Sequence, residues 1–194
     1  MTFNRPALVG LAIESVVRQT YEGWRLPVID NGSDPPVTAR PEWLRDPRIR
    51  WVRHDENLHG CDVLEAELTK CDGTHLLFLA DDDALTPGAF AIVASAIERT
   101  GAELIVGSYP AYDHQSGLCA MPLQDGPAIW DGSIEAFDGL EAAMMYCNGW
   151  GIGPKRRFRA PAMGHSSSTF VSLDLIRRTR QRQGVLFVKQ SCVF

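Results

Sequence analysis

Residues His75-Leu76-Leu77-Phe78-Leu79-Ala80 form the most apolar short run in the chain, and it ends abruptly in Asp81-Asp82-Asp83. A strand that is apolar toward both faces has to be covered on both sides, which points to a central strand of a parallel sheet between helices. The flanking sequence supplies that pattern. Pro6 to Thr20 reads as a helix, with Pro6 at its first turn and Leu8, Leu11, Ala12 and Val16 at helical spacing. Arg25–Asp30 is a strand stopped by Asn31-Gly32-Ser33-Asp34-Pro35-Pro36, and Ile49–His54 is a second strand. Residues 61–71 form a helix with Val63, Leu64, Ala66 and Leu68 partly inward. Pro87 to Thr100 is a helix closed by Gly101, and Glu103–Ser108 is a further strand. Strands and helices alternating from residue 6 to 108 specify an α/β sandwich with a mostly parallel sheet.

Beyond residue 108 the pattern is less regular. A hairpin is expected around Ser116-Gly117, a helix near 136–146, a strand over 166–171 and a basic helix over 172–182. The chain of 194 residues suffices for one domain with a real core. No repeat or linker divides it. No apolar run approaches the roughly 20 residues of a membrane helix, and the first residues do not read as a signal peptide. Five Cys without a C-x-x-C pair indicate neither a disulfide framework nor a zinc ribbon, so a reducing cytoplasm is the expected location.

The net charge of −5 hides an asymmetry. Residues 1–154 hold ten Lys/Arg against 23 Asp/Glu, a balance of −13, whereas residues 155–182 hold eight against Asp174 alone, a balance of +7. Such a chain either presents two solvated surfaces or holds a cation and an anion side by side. Nucleic-acid binding is disfavoured by the acidic body and by the lack of a recognised module. The basic 155–182 region offers a peripheral membrane contact to anionic headgroups.

Two features carry chemistry. Three consecutive carboxylates at a strand end repel one another, and a hard divalent cation relieves that repulsion while bridging to phosphates. In open α/β sheets the ligand crevice lies beyond the C-terminal strand ends, where this triplet falls. A solvated loop or helix cap is the competing reading. Asp30-Asn31-Gly32-Ser33 opens onto the same edge, either as base and ribose contacts or as an ordinary Asx turn.

Taken together, Thr2-Phe3-Asn4-Arg5-Pro6, Ser15-Val16-Val17-Arg18-Gln19-Thr20-Tyr21, Val28-Ile29-Asp30-Asn31-Gly32-Ser33-Asp34, Glu56-Asn57-Leu58 and Phe78-Leu79-Ala80-Asp81-Asp82-Asp83-Ala84-Leu85-Thr86-Pro87 resemble family 2 glycosyltransferases of the GT-A fold. Order and spacing agree over residues 2 to about 108. The resemblance implies a single Rossmann-like GT-A domain over 1–194, with a nucleotide-sugar-binding half at 1–108 and an incomplete acceptor-side half at 109–194. It implies metal-dependent transfer of a sugar from a nucleotide-diphosphate sugar to a glycan, lipid-linked or protein acceptor. Thr2, Phe3, Asp30, Asn31 and Asp81 then take donor-binding positions, with Phe3 packing on the base and Asp81 approaching the ribose. Asp82, with Asp83 beside it, holds Mn²⁺ or Mg²⁺. No catalytic base is named.

The chain departs from the family in three places. The apolar first strand that precedes the Thr-Tyr-Asn motif is missing here, so both ends look cut. Leu64 and Glu65 stand where basic or amide residues contact donor phosphates. The segment that brings the base falls beyond Phe194. These departures leave a second reading, a non-catalytic relative that binds a nucleotide sugar or a protein partner. A metal-dependent phosphohydrolase fits the triplet but not the Thr2–Pro6 and Asp30–Ser33 motifs. Val185–Val188 is an apolar run able to take the vacant strand slot. His165, at the expected acceptor-side strand, is either structural or an acceptor or metal contact. Trp130, Trp150 and Phe158 are read as core or as sugar-stacking rings, and Lys155-Arg156-Arg157-Phe158-Arg159 as a solvated loop or an anion contact.

Overall fold

The structure, a computed structural model, describes residues 1–107, 111–113, 118–120, 134, 136 and 166–184. The first half follows the expected alternation closely. Helix α1 spans Pro6–Val17, strand β1 Leu26–Asn31, a short helix α2 Pro41–Arg45, strand β2 Ile49–His54 and helix α3 Gly60–Leu68. Strand β3 covers His75–Leu77, helix α4 Ala89–Thr100 and strand β4 Leu104–Val106. Strands β5 (Ala111–Asp113) and β6 (Leu118–Ala120) pair antiparallel, with Tyr112 opposite Cys119, as expected of a hairpin around Ser116-Gly117. A 3₁₀ turn at Ser166–Ser168 leads into strand β7 (Thr169–Ser172) and helix α5 (Leu173–Gln183). The expected helix near 136–146, His165, the aromatic residues Trp130, Trp150 and Phe158, the basic loop at 155–159 and the run 185–188 lie outside the described residues.

Strands β1 and β2 are parallel, in register from Leu26↔Ile49 to Asn31↔His54. On the other side of β1 a single residue, Thr2, makes a parallel bridge to Asp30. Its amide donates to the Ile29 carbonyl at 2.8 Å, and its carbonyl accepts from the Asn31 amide at 2.9 Å. A second sheet has the order β3-β7-β4, with β7 antiparallel to both neighbours. β3 and β4 are therefore parallel to each other, separated by an element from about 65 residues further along the chain. The α/β architecture is as expected; among the described residues β1 and β2 pair in parallel, whereas β7 pairs antiparallel with both its neighbours and β5 with β6.

Two local expectations are corrected. The buried face of α1 is Val9, Ala12, Ile13 and Val16, whereas Leu11 is 65% exposed. The reason is the partner surface: Val9 and Ile13 pack with Val28, Val37 and Trp43, against which Val17, Leu26, Ile49 and Trp51 also lean. Burying an aliphatic side chain of this size contributes about 1.5–3 kcal/mol, so this cluster decides the helix rotation. In α3, Glu67 is buried beside Val63 and Leu68, and Ala66 is exposed. Burial raises the Glu67 carboxyl pKa, but the partners Arg50 and Lys70 outweigh it and hold the group below its ordinary value.

The apolar run His75–Ala80 is a strand only as far as Leu77. The ladder with β7 ends at Leu77↔Phe170 because the 3₁₀ turn precedes β7, and the Ala80 amide donates instead to Ser167 Oγ at 3.0 Å. Beneath this sheet Leu68, Leu173 and Ile176 form a second core with Leu76, Phe78 and Val171. Ser172 caps α5, its hydroxyl accepting from the amides of Asp174 and Leu175, and Gly184 closes the helix at φ 80°. These are the preferred start and stop residues of a helix.

The charge asymmetry has a structural use within α5. Arg178 pairs with Glu103 at 2.6 Å and Arg180 with Glu65 at 3.4 Å, while Arg177 reaches Asp174 and the Cys71 carbonyl. These arginines of the helix thus meet groups of the chain itself. Among the described residues, no helix is long and apolar enough to cross a membrane.

Candidate functional site

The C-terminal edges of β1 and β3 are joined through the N-terminal residues. Thr2 is buried, and its Oγ1 donates to Asp81 Oδ2 at 2.8 Å across 79 residues of sequence. Asn4 takes a left-handed conformation at φ 56°. Such a conformation is several-fold enriched in Asn among non-glycine residues. It lets the Asn4 amide donate to Ser33 Oγ at 2.9 Å while Asn4 Oδ1 accepts from the Asp34 amide at 2.8 Å. The turn leaves the intervening Phe3 41% exposed, with its ring available at the edge.

Asp30 is turned into the protein. It has no exposed surface, and its carboxylate accepts from the Ser33 amide (3.0 Å), the Val37 amide (3.1 Å) and Arg53 Nη1 (2.5 Å). Burial pushes this carboxyl upward, but the hydrogen bonds from Ser33, Val37 and Arg53 outweigh it and hold the pKa below its ordinary value. Asn31 is similarly committed. Its Nδ2 donates to Asn57 Oδ1 and to the Leu58 carbonyl, and its Oδ1 accepts from the Leu58 amide. Both residues were expected at donor-contact positions. In the structure they shape the loops at 31–37 and 56–58, because their polar atoms are turned inward and occupied.

Gly32 is required where these loops cross. At φ +82° a Cβ would lie 2.3 Å from the Glu56 carbonyl carbon and 2.5 Å from the Asn57 nitrogen. Glycine alone permits this approach.

The aspartate triplet follows β3. Asp81 is 9% exposed, and the Asp82 side chain is 51% exposed. Arg5 Nη1 lies 3.3 Å from Asp81 Oδ1 and 3.2 Å from Asp82 Oδ2, so one cationic nitrogen satisfies two neighbouring carboxylates. Among the described residues, no three His, Cys, Asp or Glu side chains are grouped to cage a metal. The oxygen donors nevertheless suit a hard divalent ion, because Mg²⁺ is typically held by one or two carboxylates plus substrate phosphates. In the structure both carboxylates face one guanidinium nitrogen.

Arg5, Ser15 and Gln19 stand within the motifs that carry the resemblance, but sequence reasoning gave them no role. Leu85 N donates to Ser15 Oγ, Gln19 Nε2 donates to the Thr86 carbonyl, and Phe90 N donates to Gln19 Oε1, each at 3.0 Å. Ser15 and Gln19 stand four residues apart, hence on one face of α1 and of the turn that follows it. That spacing was a usable signal: it marks two polar groups on an otherwise inward face, here gripping the segment after the triplet. Leu64 and Glu65 lie on α3, with Glu65 engaged by Arg180.

Comparison with known proteins bears on the family and the fold. WcaA of Escherichia coli (strain K12), whose name refers to glycosyl transfer in colanic acid biosynthesis, is 33% identical over 97 residues, which is 47% of this chain and 33% of WcaA. CgeD of Bacillus subtilis (strain 168) is 30% identical over 96 residues, 44% of this chain and 22% of CgeD. The chain therefore spans about a third or less of these relatives. The crystal structure of S. aureus TarS 1-349 superposes with a TM-score of 0.62 at 11% identity, covering 92% of this chain and 47% of that one, a likeness of fold. The sequence model described as Glycosyl transferase family 2 matches residues 1–159, the greater part of the chain, and the chain belongs to that family.

Proposed function

We propose that this chain binds a nucleotide-diphosphate sugar at the shared edge of β1 and β3 and takes part in transferring the sugar to an acceptor. The observation that carries the reading is the Thr2–Asp81 hydrogen bond, which together with the Thr2–Asp30 bridge brings three separate motifs to one strand edge. Phe3 offers a half-exposed ring on which a base can stack, a contact worth about 1–3 kcal/mol. Asp81 keeps free lone pairs after accepting from Thr2 and Arg5, enough to receive a ribose hydroxyl. Asp30 and Asn31 act as positioning residues, since they hold the loops that frame the base.

Asp82 is the proposed ligand of a divalent cation, with Asp83 close by in sequence. When bound, Mg²⁺ or Mn²⁺ supplies positive charge that offsets the charge of the diphosphate leaving group. In the transfer, the bond from the anomeric carbon to the phosphate oxygen breaks and its electron pair leaves with the nucleoside diphosphate. The acceptor oxygen bonds to the anomeric carbon, and its proton passes to a general base. That base is not assigned to a residue of this chain.

Calorimetric titration with a panel of nucleoside diphosphates, with and without Mn²⁺, tests the site. Metal-dependent binding that disappears in Asp82→Ala is expected. Binding indifferent to that substitution removes the assignment.

A further inference from the structure

Arg5 has a role that the reading of the site leaves open. It is the residue before α1, and its side chain makes no capping bond to that helix. Instead it reaches to two carboxylates that follow β3, 76 and 77 residues away in sequence. The two contacts differ in environment. Asp81 is largely buried and also receives the Thr2 hydroxyl, so its place is held from two sides. The Asp82 contact is open, with side-chain exposures of 53% for Arg5 and 51% for Asp82. Exposed ion pairs of this kind are weak and readily exchanged. Without a cation between them, adjacent carboxylates converging on one point would repel and splay.

We propose that Arg5 is an exchangeable counter-cation for the Asp81–Asp82 pair, holding the two carboxylates together while no divalent ion is bound and yielding Asp82 when one arrives. This inference rests on Asp82 as the metal ligand. It makes the site preorganised but self-competing: the residue that keeps the acids in place also lowers their affinity for the ion.

The test uses Mn²⁺, alone and then with inorganic pyrophosphate present, titrated onto the full 194-residue chain with the free ion read by electron paramagnetic resonance. Arg5→Gln is expected to tighten Mn²⁺ binding about two- to five-fold, the equivalent of one weak exposed ion pair. Arg5→Lys, which keeps the charge, is expected to stay near wild type. In chelator Arg5→Gln is expected to melt below wild type, with the difference shrinking in saturating Mn²⁺. The unaltered chain provides a readout free of any folding defect, since the Arg5 side-chain ¹⁵N resonance is expected to shift on saturation with Mg²⁺. Unchanged or weaker Mn²⁺ binding in Arg5→Gln, or an Arg5 resonance that ignores Mg²⁺, overturns the exchange while Asp82→Asn still abolishes binding. Failure of the wild type to bind Mn²⁺ both alone and with inorganic pyrophosphate present, or Mn²⁺ binding insensitive to Asp82→Asn, overturns the metal assignment itself and the exchange with it.

Discussion

Replacing Asp30 by Asn tests the claim that this residue holds the loop rather than the ligand. The substitution keeps the shape but removes the charge and one acceptor. An amide oxygen can serve Ser33 N on one side or Val37 N and Arg53 Nη1 on the other, but not both sides, and its NH₂ group then faces the donor or donors left over. Breaking a buried ion pair from one side costs about 3–5 kcal/mol. Arg53 is 33% exposed and recovers some hydration, which favours the lower end, while the orphaned amide adds to it. The expected loss is thus about 3–5 kcal/mol, a large share of the ~5–15 kcal/mol that holds a typical domain together. In urea the midpoint should fall by roughly 1–2 M, read by tryptophan fluorescence.

The pH dependence provides the sign. Asp30 titrates below its ordinary value of 3.8 in the folded chain. Its stabilisation is therefore complete above that value and is lost as pH falls through the lower folded value. The gap between wild type and Asp30→Asn should be flat from about pH 7 to 5 and narrow below about pH 4. A gap under about 1 kcal/mol at pH 7, or one that does not narrow in acid, refutes the reasoning.

Three further outcomes are expected. Gly32→Ala forces a Cβ against the Glu56 backbone at φ +82°, and should cost at least about 2 kcal/mol in chemical denaturation while weakening nucleoside diphosphate binding. Gln19→Leu strips the acceptor from Phe90 N and the donor from the Thr86 carbonyl. It should lower stability by roughly 1–3 kcal/mol in calorimetry, and an unchanged melting temperature would falsify the grip of α1 on the triplet segment. Arg178→Ala removes an exposed pair with Glu103 and should cost less than about 1 kcal/mol, a difference that vanishes near 1 M NaCl.

How much of the site was legible in the sequence follows from the kind of information each residue needs. Gly32 could be flagged from its place after a strand, since only glycine turns freely there. Thr2 and Phe3 could be grouped with the triplet through resemblance, though nothing local to Thr2 reveals a partner 79 residues away. The residues around Asp30 allow either a ligand contact or an Asx turn, and only the resemblance points to the contact. The inward turn of Asp30 depends on Arg53 of the neighbouring strand, and that neighbour is known only once β1 and β2 are in register.

The sequence by itself determined the elements: α1, β1, β2 and α4 sit where apolar spacing, Pro at helix starts and Gly at turns put them, because these signals act within a few residues. The membership in a sugar-transferring family was also legible, through motifs in order and spacing. Only the tertiary structure decided which face of α1 is buried, that β7 enters between β3 and β4, and that Arg5 spans the two acids. Each of those depends on pairing between distant segments, where hydrogen bonds and packed volumes from elsewhere in the chain outweigh local preference.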